Sequence, residues 1–576
     1  MTSLGPIFAD DLARVKPGDR LRLTISAQTS DAAALAQAAL EARARGERVL
    51  VVCADPADVP RLAQEMPWFE PKLDVRPLPD WETLPYDVLS PQEELVSERL
   101  EALYRLTAPT GGADVLLTSA VTASQRLSPV SYIGANTFFF HQGEQISLTT
   151  LQKRLAAAGY ANVKQVLAAG EFAVRGSIVD VFPMGSERPF RLDFFDDEIE
   201  SIRWFDVDTQ RSMESAEEIR LLPGHEFPVD PEALLAFRQR WRREFAGDPK
   251  KSIVYCDIEK EILPPGIEYY LPLFFDETAA LTDYLPPNAR VFLLGDIEVA
   301  LQAFGRDMAS RYKVLAADPQ RPALAPERIW LKPEEFFKSL ANFARFTVEK
   351  KENAEDLKRL TGIEVDRKSQ NPVGKLLERT RESAMKGVRT LIAAPSAGRM
   401  ETMSQLLRTG GLSVEEFPDW QTFLDADSSL GIAAAPLFSG AVFHHPEIVI
   451  LSEAELYAAS PRRHRLRRVK HATTLEMMVR DVAELKPGDA VVHADHGIGR
   501  YQGLVHMETP DGDAEFLEIT YKNDAKLFVP ITNLQLISRY AGADPEHAPL
   551  HQLGRGDWEK AKRKAAQEDR KSTRLN

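Results

Sequence analysis

The apolar run Leu21 to Ile25 leads into Ser26-Ala27-Gln28-Thr29-Ser30-Asp31, where a phosphate-binding loop would lie if the run opens a nucleotide-binding sheet. Such a loop needs glycines so that backbone N–H groups can cradle phosphates, a lysine for the β- and γ-phosphates, and a Ser or Thr for magnesium. Between Leu21 and Gly46 there is neither glycine nor lysine. Side chains would fill the phosphate space and Asp31 would repel the anion. A second acidic station follows Val291 to Leu294, but Gly295-Asp296-Ile297-Glu298 splits the two carboxylates that a motor places side by side. Ile448 to Glu453, IVILSE, ends a strand pattern in an acid without a phosphate loop in its own unit. Metal chemistry is no better served. Asp196-Asp197-Glu198 suits an acidic hairpin turn more than a hard cation, and His493 and His496 have only Asp495 beside them. Gly497-Ile498-Gly499 begins like a dinucleotide fingerprint, but position 502 is Gln and no strand-to-helix turn follows. The sequence therefore assigns no catalytic residue, no cofactor-binding residue and no metal ligand.

Recognition chemistry is more legible. Between the turn signals Pro183-Met184-Gly185-Ser186 and Asp196-Asp197, the run Phe190 to Phe195 alternates with period two. Phe190, Leu192 and Phe194 share one face and make a core, while Arg191, Asp193 and Phe195 share the other. A large aromatic beside an arginine is the pairing that protein interfaces favour, so the second face is expected to dock a partner. A strand buried on both sides, with Phe195 in a second core, fits the same pattern.

Composition bounds what surrounds these residues. A chain of 576 residues that is 44% hydrophobic has room for several domains, each with its own core. Two cysteines, Cys53 and Cys256, make a disulfide framework or zinc site improbable and fit a reducing compartment. The start MTSLGPIFADDLARVK lacks the basic and apolar regions of a signal peptide, and no apolar stretch is long enough to span a membrane, so a cytoplasmic location is expected. A net charge of -15 excludes a chain whose whole surface grips DNA. Basic character concentrates at Arg462 to His471, RRHRLRRVKH, a solvated linker or a contact with nucleic acid, and in either case a boundary.

The elements that position these groups follow from the apolar runs. Leu21 to Ile25, the alanine-rich stretch Ala32 to Ala44, Val49 to Cys53 and Asp114 to Thr118 give the βαβ rhythm of a parallel sheet. Arg290 to Leu294 is a buried-type strand, and Arg389 to Ala394 followed by Gly398 to Arg408 marks a further α/β unit. Near the end, Asp489 to Val492, Arg500 to Val505, Glu515 to Tyr521 and Lys526 to Val529 are short strands with turns at His496-Gly497 and Pro510-Asp511-Gly512-Asp513. Gly497 and Gly499 are expected to permit the tight bends of a small barrel.

Three blocks carry a family resemblance. EFAVRGSIVDVFPMGSERPFRLDFFDDEIESI, from Glu171, resembles the UvrB domain that binds UvrA; DWETLPYDVLSP, from Asp80, narrows the match to the transcription-repair coupling factors; GDAVVHADHGIGRYQG with YKNDAKLFVP resembles their CarD-type polymerase-interacting domain. The resemblance implies a multidomain α/β chain. Its parts are a degenerate helicase-like parallel domain in two pieces (1–136 and 223–360), an inserted α+β UvrB-type interaction domain (137–222), a small α/β domain (361–460), a basic linker (461–480), a Tudor/SH3-like β-barrel (481–550) and the start of a linker to a motor (551–576). Carried over by position, it implies UvrA binding by Arg175, Arg191 and Phe195, and binding of the RNA polymerase β subunit by the strand Val505, His506, Met507 and Glu508. Met507 stands where that family often has Leu, and a place in the barrel core remains its alternative.

The same resemblance implies an adaptor region without its own cofactor. ATP and magnesium would belong to a motor beyond this chain, DNA would be held mainly by that motor, and the protein would be a monomer. In the family a C-terminal domain covers the UvrA-binding face at rest, so a chain ending at 576 is expected to leave it open. The last residues, DRKSTRLN, depart from the family and look like translated adapter sequence. Two other functions fit parts of the chain: a UvrB-like repair helicase, which would require the missing phosphate loop, and a stand-alone CarD-like regulator, which would leave 137–222 without a role.

Overall fold

The computed structural model describes residues 4–5, 7–8, 12, 14–108, 112–366, 369, 371–457, 488–493, 497–509, 512–530, 537–539 and 550. It divides into two compact units, Met1–Pro461 and Arg462–Asn576. The basic run at 462–471, Asp495, His496, Pro510, Asp511 and the tail from 551 onward lie outside the described residues.

In the first unit the alternating runs build a six-stranded parallel sheet. Its order is Arg20–Ser26, Ala344–Lys351, Arg290–Leu294, Val49–Cys53, Val115–Ser119 and Val75–Pro77. The strands Arg290–Leu294, Val49–Cys53 and Val115–Ser119 are buried at every position, as central strands covered on both faces must be. Helix Asp31–Ala44 starts where the Ser30 side chain accepts the Ala33 N–H, and its run of buried alanines lets it lie close against the sheet. Two strands from beyond residue 289 enter between Arg20–Ser26 and Val49–Cys53, so the sheet is completed by chain that follows a long intervening segment.

That intervening chain forms a second six-stranded sheet in the order Ser212–Ala216, Glu198–Phe205, Phe190–Phe195, Ile178–Val181, Glu171–Arg175 and Ala161–Asn162. All pairs are antiparallel except the last. Phe138–His141 and Glu218–Leu221 pair with each other at its base. Asp196-Asp197 is the two-residue turn between paired Phe195 and Glu198, with Asp196 at φ 58°.

A third sheet, still in the first unit, has the order Glu415–Phe417, Leu430–Ala434, Arg389–Ala394, Glu447–Leu451 and Ala441–His444, antiparallel only in the last pair. The acid that ends IVILSE begins the short helix Glu453–Leu456, capped by Ser452.

The second unit is a five-stranded antiparallel sheet in the order Lys526–Pro530, Gly512–Thr520, Gly497–Thr509, Ala490–His493 and Ile537–Arg539. Val491, Tyr501, Leu517, Ile519, Tyr521 and Val529 form its core. Gly499 corrects an expectation, for it makes no bend. It lies within a strand, where a Cβ would stand 2.6 Å from Ile519 Cγ2 and 3.1 Å from Tyr521 Cζ, so glycine is there to let the core approach the backbone. No helix of the described residues is long and apolar enough to cross a membrane.

Candidate functional site

The position of the missing phosphate loop is filled by charge. Asp31, 2% exposed, receives both Arg61 Nη groups at 2.8 Å and Lys350 Nζ at 2.6 Å. Arg61 also reaches Asp58 at 2.7 Å and Glu65 at 2.8 Å. Burial alone would raise the Asp31 carboxyl, but Arg61 and Lys350 overcome it and hold the group at about 2. For Glu65 burial prevails and pushes the carboxyl up. The third sheet closes over this cluster: Phe438 N–H donates to Glu65 Oε1 at 3.1 Å, Val442 N–H to Gln28 O at 2.9 Å, and Thr29 Oγ1 to Val442 O at 3.3 Å. What remains is a cavity of about 130 Å³ bounded by Thr29, Asp31, Arg61, Glu65 and Lys350. A drug-sized ligand occupies roughly 300 Å³ or more. At the second acidic station, Asp296 caps the helix Ile297–Leu315 by accepting the Val299 N–H, and Glu298 accepts from Gln302 on the same helix.

The second sheet presents two different faces. Phe190, Leu192 and Phe194 are buried in the main core, and Phe195 is 73% exposed. The outer face does have a small core of its own, made by Val166, Ala173 and Phe205, but Phe195 is not in it. The register places Arg175, Ile178, Asp193 and Ser201 in one row across that face, and Asp180, Arg191 and Arg203 in the next. Arg191 is already engaged. Its Nε and Nη2 fork onto buried Asp180 at 2.7 and 2.9 Å, its Nη1 donates to Gln210 O and Ser212 Oγ at 3.2 Å, and its guanidinium lies 5.0 Å from the Phe205 ring centroid. Arg175, on the bend completed by Gly176 at φ 62°, is exposed and donates to Lys164 O at 2.9 Å. The outer face thus offers an exposed aromatic and an exposed cation, beside an arginine whose orientation the sheet fixes.

In the second unit, Val505–Glu508 lie in the long strand Gly497–Thr509 and pair with Phe516 to Asp513. The neighbouring strand Ala490–His493 pairs only with Arg500 to Gly497. A bulge between Tyr501 and Gly503, the latter at φ 139°, separates the two stretches. Beyond it, the strand has a partner on one side only among the described residues. The side chains of His506, Met507 and Glu508 are outside the described set.

Comparison with known proteins now bears on these geometries. Residues 138–227 match the UvrB interaction domain, 384–456 the MFD, D3 domain, and 485–541 the CarD-like/TRCF RID domain. The transcription-repair-coupling factor of Escherichia coli is 38% identical over 532 residues, covering 91% of this chain and 45% of the relative. That of Haemophilus influenzae is 39% identical, covering 86% of this chain and 44% of its own, and that of Bacillus subtilis is 25% identical, covering 82% and 41%. The chain is similar to the transcription-repair-coupling factors along most of its length. It spans somewhat less than half the length of these relatives.

Against the transcription-repair-coupling factors, one block gains a structural meaning that its pattern concealed. DWETLPYDVLSP is wrapped around a buried network: Trp81 Nε1 and Arg99 Nε each donate to Glu226 at 2.8 Å, and Arg99 also reaches Pro79 O and Gln125 Oε1. Ser90 donates to Glu268 at 2.9 Å. Burial pushes the Glu268 carboxyl up to about 7, against its own backbone N–H and Ser90, which favour the charge. Neither this network nor the Asp31 cluster was visible in the sequence, because each joins residues more than a hundred positions apart. Arg99 stands among Ser97, Glu98 and Glu101 in its helix, so nothing local marked it as buried.

Proposed function

We propose that this chain is the adaptor region of a transcription-repair coupling protein. One surface recruits UvrA, a second docks on the RNA polymerase β subunit, and an ATP- and magnesium-dependent DNA translocase in the parent removes stalled polymerase at lesions so that excision repair can begin. Similarity to the named coupling factors over most of the chain carries this proposal, and the matches to the UvrB interaction and CarD-like domains support its two docking functions. The divisions at 136, 222, 360, 460, 480 and 550 are proposed as domain limits, the second unit as a small Tudor/SH3-like barrel, and the bacterial cytoplasm as the place of action.

The UvrA surface is the outer face of the second sheet, with Phe195 and Arg175 as contacts and Arg191 presented by Asp180. The polymerase surface is the strand Val505, His506, Met507 and Glu508, whose one-sided pairing among the described residues leaves backbone groups for strand addition. Calorimetry with purified UvrA tests the first. Phe195→Ala and Arg175→Ala should each weaken binding by about 1 to 3 kcal/mol, the usual cost of truncating an interface anchor. Unchanged binding by both variants would remove this face from the proposal.

A further inference from the structure

The chain is acidic, yet residues 238 to 251, FRQRWRREFAGDPKK less its first Phe, carry six basic and two acidic side chains. They run along the helix Pro231–Glu244 and through a turn, with Gly247 at φ 99°, into the helix Ile253–Glu259. Phe237, Trp241, Val254, Tyr255 and Ile258 pack beneath them in one core, so the basic groups stand on a rigid base.

Cations outnumber their partners here. Glu259 alone receives both Lys250 and, at 4.0 Å, Arg238. Arg240 pairs with Asp276 at 2.6 Å, and Glu244 with Arg328 at 3.4 Å. Arg242, Arg243, Lys251 and Lys260 are exposed and have no carboxylate within 4.0 Å among the described residues. Arg242 lies over the Tyr255 ring, 5.6 Å from its centroid. An opening of about 440 Å³ separates Arg242, Gly247, Asp248, Lys250 and Tyr255.

We infer that this two-helix face is a polyanion site that takes the phosphate backbone of duplex DNA. The cations are spread over two helices and a turn, which matches charges repeated along a backbone better than a single phosphate. Tyr255 and Trp241 are buried, at 0% and 1% exposure, and the half-buried Phe245 packs on the Trp241 ring with centroids 4.4 Å apart, so the patch offers no exposed aromatic to stack on an unpaired base. Contact is therefore to the backbone, independent of sequence and weakened by salt. The site uses none of the residues of either docking surface, and it places a DNA contact in the parallel-sheet module rather than in a motor.

The test is fluorescence anisotropy of the full chain with a labelled duplex of about 30 base pairs, at about 50 and 200 mM salt. Wild type should bind at the lower salt and weaken steeply at the higher. Arg242→Glu with Lys251→Glu should lower affinity roughly tenfold or more, while Lys386→Glu, a charge change on the separate helix-to-strand turn before Arg389, should change it less than about twofold. Arg243→Glu with Lys260→Glu serves in the same way if the first pair disturbs folding by circular dichroism. Absence of salt-dependent binding, or equal effects of the patch and control variants, overturns the proposal. If polyglutamate of matched charge competes more strongly than unlabelled duplex, the partner is an acidic protein and the DNA assignment fails.

Discussion

Asp31 and Glu65 grip the same guanidinium but should respond differently to losing their charge. Three carboxylates, Asp31, Asp58 and Glu65, surround Arg61 with Lys350 as the second cation, so the cluster has one negative charge to spare. Asp31→Asn strips the group that both cations face and should cost about 3 kcal/mol. Glu65→Gln keeps an acceptor for the Phe438 N–H and removes the surplus charge, so it should stay within about 1 kcal/mol of wild type. Urea unfolding of both variants checks the contrast, and a larger loss for Glu65→Gln would show that the surplus is not felt. Glu268 supplies a pH dependence of defined sign. Its folded value, about 7, lies above its unfolded one, so its contribution is present at acid pH and lost as pH rises through about 7. Glu268→Gln still accepts from Ser90, and its thermal midpoint should gain on wild type between about pH 5 and pH 8. A constant difference across that range would mean that Glu268 is not titrating. At this scale alternation set Phe195 on the face opposite Phe190, Leu192 and Phe194 but left open whether that face was buried, whereas Asp180 as the partner of Arg191 depends on the register of two strands, which alternation does not set.

Strands make that dependence measurable. Removing Arg191 would leave Asp180, 1% exposed, as an unpaired buried carboxylate, so Arg191→Ala should destabilise the fold by about 3 kcal/mol as well as weaken UvrA binding. Phe195→Ala should weaken binding while changing stability by less than about 0.5 kcal/mol, because the ring is mostly in water. Chemical denaturation beside calorimetry separates the two, and equal stabilities would show that Arg191 is not a support of the sheet. For the second unit, Met507→Arg should reduce capture of the polymerase β subunit by roughly 2 to 4 kcal/mol with an unchanged circular-dichroism spectrum. Loss of the spectrum would place Met507 in the core of that unit. Elements with strong local signals were legible to the residue: Val49–Cys53, Arg290–Leu294 and Arg389–Ala394 coincide with their apolar runs. The long strand Gly497–Thr509 was read as Arg500 to Val505 continued by the edge Val505 to Glu508, and its start was missed because Gly497 and Gly499 read as bend residues.

Assembly of the whole parallel module decides the remaining question, whether this parallel α/β sheet binds nucleotide. Composition and βα rhythm indicated a parallel sheet, but not that strands from beyond residue 289 fill its middle or that the third sheet closes over the phosphate position. That closure is an effect of tertiary packing, and it strengthens a conclusion first drawn from missing glycines. One larger opening remains at the carboxyl ends of the strands, where open α/β sheets bind ligands, with a volume of about 720 Å³. Its lining includes Asp55, Asp58, Asp296, Glu298 and Glu349 against Arg22, Lys350 and Lys351, and Lys350 is already committed to Asp31. A triphosphate would meet a net negative wall there and a closed, charge-filled cavity at the loop. We therefore expect titration of the chain with a fluorescent ATP analogue and magnesium to give no saturable signal. Asp31→Gly combined with Ser30→Lys should not create one, because the third sheet would still occupy the phosphate space. Binding of ATP at one site with micromolar affinity by the wild-type chain would show that the sheet opens in solution and that the module is a nucleotide-binding one.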